Sequence, residues 1–180
     1  RKVAEKYVDA NGNTVEPTWS VVYLSKVQGI DILDNIVESS ADTALMLGSF
    51  NTDFLIRGNK LTTTQVCIYL GAVDGGTILG NRLSSENDMG IHLYYIGTGN
   101  AKADVLITDN RFRDCAKPGV FIEGMNAVTV SNNSFLRCAF KADTFLDQYK
   151  SSISVQGGKT GTPARDIVIT GNRIDRDTVV

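Results

Sequence analysis

The sequence lacks an excess of basic residues, a long apolar run and a cluster of histidines. Its 180 residues include 18 Lys and Arg against 20 Asp and Glu, for a net charge of -2, and a single His. Without a net positive charge the chain lacks the basic field that is typical of nucleic-acid-binding domains, so we expect no nucleic acid partner. No apolar run approaches the ~20 residues that a membrane helix needs, so we expect no membrane partner.

What the sequence does contain is one short pattern in six copies. The copies are "IDILDNIV" at residues 30–37, "FLIRGNKL" at 54–61, "GTILGNRL" at 76–83, "VLITDNRF" at 105–112, "VTVSNNSF" at 128–135 and "IVITGNRI" at 167–174. Their shared corner asparagines are Asn35, Asn59, Asn81, Asn110, Asn133 and Asn172. An irregular period of about two dozen residues predicts stacked repeats whose excess length lies in loops.

Each copy follows a second strand-like segment, such as "GIHLYYI" from residue 90 or "GVFIEG" from residue 119. Apolar residues alternate with polar ones in the copies, as with Val105 and Ile107 or Val128 and Val130. This period of two is typical of strands, and no segment shows a long helical stripe. We therefore predict an all-β fold, a right-handed single-stranded parallel β-helix (a solenoid) of about six coils.

The predicted solenoid covers residues 21–180, and residues 1–20 are a leading segment or the remnant of a preceding coil. Because "ITGNRIDRDTVV" stops within a repeat, we expect the chain to be a section of a longer protein. An uncapped solenoid end would expose an unpaired apolar edge.

The corner asparagines are expected to turn the chain, because Asn tolerates a left-handed backbone at low cost. An inward amide can also bond the equivalent Asn on the next coil, about 4.8 Å away, so the six should form a structural ladder. In the same register Phe112 should stack on Phe135, and Cys115 should lie beside Cys138. We expect these cysteines and Cys67 to be buried free thiols; a Cys115–Cys138 disulfide is the alternative.

The hydrophobic-any-hydrophobic-any-Gly-Asn pattern, followed after a loop by Gly-hydrophobic-any-hydrophobic, resembles the repeat of the pectate-lyase-like right-handed parallel β-helix superfamily. The resemblance covers residues 21–174. The superfamily includes polysaccharide lyases, glycoside hydrolases, epimerases and phage tailspike proteins, so the fold alone selects no activity. The resemblance implies a polysaccharide partner and an extracellular or virion-surface location.

The resemblance also places the sugar along the outward face of the Gly-hydrophobic strands. Alternation sends two files of side chains outward there: Met46, Cys67, His92, Phe121 and Ser154 in one, and Gly48, Tyr69, Tyr94, Glu123 and Gln156 in the other. We predict that three rings in these files bind substrate and that His92 and Glu123 transfer protons in catalysis. The substrate-binding rings are Tyr69, Tyr94 and Phe121. The alternative is that these side chains only pack under a loop or a neighbouring subunit.

The longest connection, residues 136–151, should enter beside this face. Long loops in compact repeat proteins often shape binding sites. We therefore add four charged residues to the predicted substrate site: Lys117, Arg137, Lys141 and Asp143. The stretch "FLDQY" in this connection has a second interpretation, a short helix that only covers the side.

Known enzyme patterns of the superfamily are missing. The sequence has no acidic arrangement like the calcium site of pectate lyases, no aspartate pair like that of polygalacturonases and no Asp-Pro-His-Asp string like that of the epimerases. We expect no metal and no cofactor; calcium is the alternative, without a clear site.

Three functional hypotheses remain. The leading one is a β-helix that recognises, and in its enzymatic form degrades, a polysaccharide, as in a tailspike depolymerase or a secreted lyase or hydrolase. The second is a non-catalytic structural or adhesin shaft. The third is a homotrimer whose active groups come from two subunits.

Overall fold

The computed structural model describes residues 7–8, 14–15, 20–40, 42–48, 50–95, 102–141, 147–159 and 161–175. Strands β1 (Tyr7–Val8) and β2 (Thr14–Val15) pair with each other in antiparallel fashion. The remaining strands form three parallel sheets of six strands each. A 3-10 helix, η1 (Asp147–Tyr149), is the one helical element among the described residues.

Each coil contributes one strand to each sheet. Sheet 1 contains β3 (Val22–Leu24), β6 (Leu45–Leu47), β9 (Ile68–Gly71), β12 (Ile91–Tyr94), β15 (Val120–Glu123) and β18 (Ile153–Gln156). Sheet 2 contains β4 (Gln28–Leu33), β7 (Thr52–Arg57), β10 (Asp74–Leu79), β13 (Lys102–Thr108), β16 (Asn126–Ser131) and β19 (Arg165–Thr170). Sheet 3 contains β5 (Ile36–Ser40), β8 (Lys60–Thr63), β11 (Arg82–Ser85), β14 (Arg111–Arg113), β17 (Ser134–Leu136) and β20 (Arg173–Asp175). The predicted all-β fold with about six coils is confirmed.

The corner between sheets 2 and 3 differs from the prediction in one detail. The left-handed residue is the one before each corner asparagine, not the asparagine itself. These residues are Asp34, Gly58, Gly80, Asp109, Asn132 and Gly171, with φ between 55° and 69°. Gly, Asp and Asn are the residues that adopt this backbone most readily, so this position turns the chain and frees the following Asn to bond across coils.

The asparagine amides form one continuous row of hydrogen bonds through the interior. Asn59 Nδ2 donates to Asn81 Oδ1 at 3.0 Å, and Asn81 Nδ2 donates to Asn110 Oδ1 at 2.9 Å. The same pattern joins Asn35 to Asn59, Asn110 to Asn133, and Asn133 to Asn172. Each accepting oxygen also takes the backbone N–H of the preceding Asn, as from Asn81 N to Asn110 Oδ1 at 2.9 Å. The row thereby satisfies buried polar groups at every corner.

Aromatic stacking fills the core of the central coils. Phe112 and Phe135 lie in register, with ring centroids 4.6 Å apart and planes 3° from parallel, as predicted. Gly90 and Gly119 make room for them, because an added Cβ at either position would lie 2.6 Å from the Phe112 or Phe135 ring. All three cysteines are buried and free, which agrees with the predicted thiols.

Sequence analysis missed a second set of inward amides between sheets 1 and 2. Asn51 Oδ1 accepts Val27 N at 3.1 Å, and Asn126 Oδ1 accepts Arg165 N at 2.8 Å. Both side chains are buried. They lie in coils that do not share a common motif around the Asn, so no repeat pattern marks them.

No helix within the described ranges is long and apolar enough to span a bilayer. The division of the chain into residues 1–20 and 21–180 stays a prediction.

Candidate functional site on the outer face of sheet 1

The outer face of sheet 1 gathers five of the predicted site residues on three neighbouring strands, β9, β12 and β15. Parallel pairing places His92 between Tyr69 on one side and Phe121 on the other. Tyr94, two residues along β12, pairs with Glu123. We call these five residues the aromatic face.

The register of β9 differs from the prediction. Tyr69 was expected beside Tyr94 and Cys67 beside His92, but Ile68 pairs with Ile91 and Tyr69 with His92. Cys67 is not outward: its side chain is fully buried, and its Sγ lies 3.2 Å from Ser84 O. The physical reason is that β9 begins at Ile68, so Cys67 lies in the preceding corner, where strand alternation does not apply.

The rings of the aromatic face contact one another around His92. The imidazole centroid lies 5.3 Å from the Tyr69 ring, 5.6 Å from the Tyr94 ring and 5.1 Å from the Phe121 ring. The contacts with Tyr69 and Phe121 are edge-to-face, a favoured arrangement of aromatic pairs. The predicted contiguous patch therefore exists as a packed cluster.

This cluster is less exposed than predicted. Phe121 retains 1% of its accessible surface and Glu123 retains 5%, whereas Tyr69 and Tyr94 are half-buried. The Tyr149 ring of η1 lies 5.7 Å from the Phe121 ring. The chain after β17 thus returns over sheet 1, as the short-helix interpretation of "FLDQY" proposed, and the open part of the face is Tyr69, His92 and Tyr94.

His92 and Glu123 form a close pair within the cluster. His92 Nε2 lies 3.5 Å from Glu123 Oε2, and their side chains are 18% and 6% exposed. Within the described part of the chain, Nε2 is buried and has no hydrogen-bond partner of good geometry. His92 Nε2 and Glu123 Oε2 are therefore close enough to share a proton with each other.

Burial shifts both pKa values toward the neutral forms. Burial, then the positive charges of Lys159 and Lys117, lower the pKa of His92 to about 4. Burial raises the pKa of Glu123, against the opposing effects of Lys159 and a hydrogen bond from Gln156. At neutral pH His92 is accordingly an uncharged base, and Glu123 holds its proton to a higher pH than an exposed glutamate does.

Two lysines flank the cluster. Lys117 Nζ lies 4.9 Å from the Tyr149 ring centroid and 3.5 Å from Asp88 Oδ1. Lys159 Nζ lies 5.6 Å from the Tyr94 ring centroid. Sequence analysis selected Lys117 as a site residue, and it missed Lys159 and the Tyr149 ring that Lys117 contacts. The signal for Lys159 was its position three residues after β18, directly beyond the outward file of sheet 1.

The other predicted substrate residues lie away from the aromatic face. Arg137 pairs with Asp114, and Lys141 Nζ donates to Glu86 O at 3.1 Å. Neither contact involves a residue of the aromatic face. Asp143 lies outside the described residues.

The described ranges contain no group of three or more His, Cys, Asp or Glu side chains arranged to hold a metal ion. The aromatic face offers one carboxylate and one imidazole, which is a set suited to proton transfer.

Three parallel sheets joined coil by coil, with an internal asparagine row, define a parallel β-helix. The comparison with family models matches residues 4–174 to the family described as "Right handed beta helix region", and the chain belongs to this family. The comparisons with curated proteins and with solved structures found no significant match. The family identifies the fold and leaves the ligand to be inferred from the surface.

Proposed function

We propose that this β-helix recognises a polysaccharide through the aromatic face of sheet 1. The observation that carries the proposal is the packing of two half-buried rings, Tyr69 and Tyr94, against His92, with centroid distances of 5.3 and 5.6 Å, on neighbouring coils. Aromatic side chains fixed by their neighbours present apolar faces to sugar rings at little cost in conformational entropy. Equivalent strands of consecutive coils lie about 4.8 Å apart, so an extended polymer can contact several coils at once.

The flanking charges favour an acidic polysaccharide. Lys117 and Lys159 both lie close enough to lower the pKa of His92, so their positive field covers the centre of the face. Glu123, the only carboxyl group of the aromatic face, is nearly buried and holds its proton more strongly than usual. An incoming carboxylate or sulfate would meet Lys159 and Lys117, of which Lys117 is also 3.5 Å from Asp88 Oδ1.

The same groups support a proposal for cleavage by elimination at a uronic acid residue. His92, neutral at pH 7, is the base that removes the proton next to the sugar carboxylate, and Glu123 is the acid that protonates the leaving oxygen. Lys117 and Lys159 bind the carboxylate and stabilise the negative charge that develops on it. Hydrolysis would instead require a second carboxylate about 5 to 10 Å from Glu123.

A structural or adhesin shaft is the second candidate, and the burial of Phe121 and Glu123 favours it. In that case Tyr149 covers the face only to seal the sheet, and His92 serves as a packed core-like side chain.

The experiment is a binding and cleavage screen with capsular, plant and algal polysaccharides, reading unsaturated-uronate absorbance together with reducing ends. We expect binding of an acidic polymer and its weakening by about three- to tenfold in Tyr94→Ala, which removes one stacking face. Phe50→Ala is the matched control, because Phe50 is a 70% exposed ring outside the aromatic face. Glu123→Gln should abolish cleavage and retain binding. Binding that is equal in wild type and Tyr94→Ala, or absent for every polymer, would favour the shaft.

A further inference from the structure

A concave site lies on sheet 3, and none of the aromatic-face residues line it. It is a cavity of about 270 Å³ at the C-terminal ends of the sheet 3 strands, and its lining includes Thr62, Thr64, Ser84, Glu86, Asp114 and Phe140. These residues come from four successive coils. None of them belongs to the aromatic face, so the site is independent of the function proposed above.

The walls of this cavity are fixed by backbone hydrogen bonds between coils. Glu86 N donates to Thr63 O at 2.9 Å, which joins the corner after β11 to the end of β8. Lys141 N donates to Ala116 O at 3.0 Å, and Lys141 Nζ donates to Glu86 O at 3.1 Å. The segment after β17 is thereby held back over two earlier coils, and it holds Phe140 at the rim.

Phe140 supplies an exposed aromatic surface, and Lys141 Nζ lies 5.8 Å from the centroid of its ring. Its side chain is 50% exposed, in contrast to the buried Phe112 and Phe135 of the core. An exposed ring beside hydroxyl groups matches the two faces of a sugar, whose C–H face is apolar and whose hydroxyls are polar.

The polar lining is suited to hydroxyl groups. Thr62 and Ser84 are paired across β8 and β11, so their half-buried side chains are neighbours. Asp114 is already neutralised, because Arg137 pairs with it and Arg113 Nε lies 3.4 Å from its Oδ2. Glu86, an exposed carboxylate, can accept hydrogen bonds from sugar hydroxyls.

We propose that this cavity binds one neutral sugar residue, with its apolar face on Phe140 and its hydroxyls toward Glu86, Thr62 and Ser84. A volume of about 270 Å³ suits one ring better than a chain of rings. Asp114 is neutralised by its arginine partners, which leaves Glu86 as the lining carboxylate that opposes the charge of an acidic sugar. The site is therefore expected to prefer a neutral sugar, whereas the aromatic face is proposed to bind an acidic polysaccharide.

The test is saturation-transfer NMR with the methyl glycosides of glucose, galactose and N-acetylglucosamine, and with methyl glucuronide as the acidic probe. Titrations that follow amide signals give the affinities. We expect saturation of at least one neutral glycoside and a stronger response to it than to the glucuronide. Affinity should fall about three- to tenfold in Phe140→Ala and at least about threefold in Glu86→Gln, because each loses one of the proposed contacts.

Phe50→Ala and Tyr94→Ala are the controls, and both should keep the affinity of wild type. Glu86→Gln changes one exposed group and so keeps the test valid even if Phe140→Ala perturbs the corner. The proposal is overturned if none of the three neutral glycosides shows saturation, or if Phe140→Ala and Glu86→Gln both bind as wild type does. It is also overturned if Tyr94→Ala removes the signal, because the sugar would then bind the aromatic face. Loss of polysaccharide binding by the aromatic face would leave these results unchanged.

Discussion

Replacing Asn110 by Leu probes the asparagine row at its centre. Asn110 Nδ2 donates to Ile78 O at 2.9 Å, to Thr108 O at 2.9 Å and to Asn133 Oδ1 at 3.0 Å. Its Oδ1 accepts from both the backbone N and the Nδ2 of Asn81, each at 2.9 Å. Leucine has a similar shape and can make none of these five side-chain bonds.

The cost follows from the groups that lose a partner. The buried backbone N–H of Asn81 loses its Asn110 acceptor, and the carbonyl of Ile78 loses a donor from Asn110. Other partners keep a bond: Asn81 Nδ2 still donates to Ile56 O, and the backbone N–H of residue 110 still reaches Asn133 Oδ1. With about 1 to 3 kcal/mol for each of these two orphaned groups, we expect a loss of about 2 to 6 kcal/mol.

Urea denaturation of wild type, Asn110→Leu and Asn35→Leu measures this loss as a change in unfolding free energy. Asn35 is the matched control, because it is the exposed first member of the row. Asn35→Leu should cost about 0.5 kcal/mol, as exposed positions usually do. Equal costs for the two variants, or a cost below about 1 kcal/mol for Asn110→Leu, would refute the account of the row.

Three further predictions test the core and the cluster. The free energy of unfolding should fall by up to about 3 kcal/mol as the pH drops from 6.5 toward 4. The pKa of His92 is about 4 in the folded chain and 6.5 in the unfolded chain, so in this pH range the unfolded chain binds a proton that the folded chain does not. The raised pKa of Glu123 acts in the opposite direction, so the difference between wild type and His92→Gln in urea titrations isolates the histidine; parallel pH profiles would contradict the assignment. Gly119→Ala should lower the melting temperature by several degrees or more, since its Cβ would lie 2.6 Å from the Phe135 ring; an unchanged melting temperature would show that the ring yields freely. Mass spectrometry after unfolding and alkylation without reductant should find three labelled thiols, whereas a single label would indicate a Cys115–Cys138 bridge.

The fold could be predicted because its determinants recur. Each corner asparagine is followed two residues later by an apolar residue, and stacking of like on like carries Phe112 onto Phe135 in the structure. A pattern that repeats six times outweighs local ambiguity at any one coil. The same repetition located the asparagines correctly but attributed the left-handed turn to them. The turn belongs to the residue before each Asn, and this position was harder to recognise because it varies among Gly, Asp and Asn.

The site was harder to predict because alternation reports only one property. It separates side chains that face the interior of the coil from those that face away, and it placed Tyr69, His92 and Glu123 correctly on the outside. It does not report where a strand begins, so Cys67 was put in a strand when it lies in a corner. Nor does it report what covers the outer face, so sequence analysis could give the burial of Phe121 under the "FLDQY" segment only as an alternative.

Mapping of amide chemical shifts is the most direct test of polysaccharide recognition by the aromatic face. The isotope-labelled chain is titrated with acidic oligosaccharides prepared from the polymers of the screen, and the shifted amides are located on the three sheets. The account predicts that the largest changes fall on β9, β12 and β15, around Tyr69, His92 and Tyr94. Changes confined to sheets 2 or 3, or no change with any oligosaccharide, would contradict it.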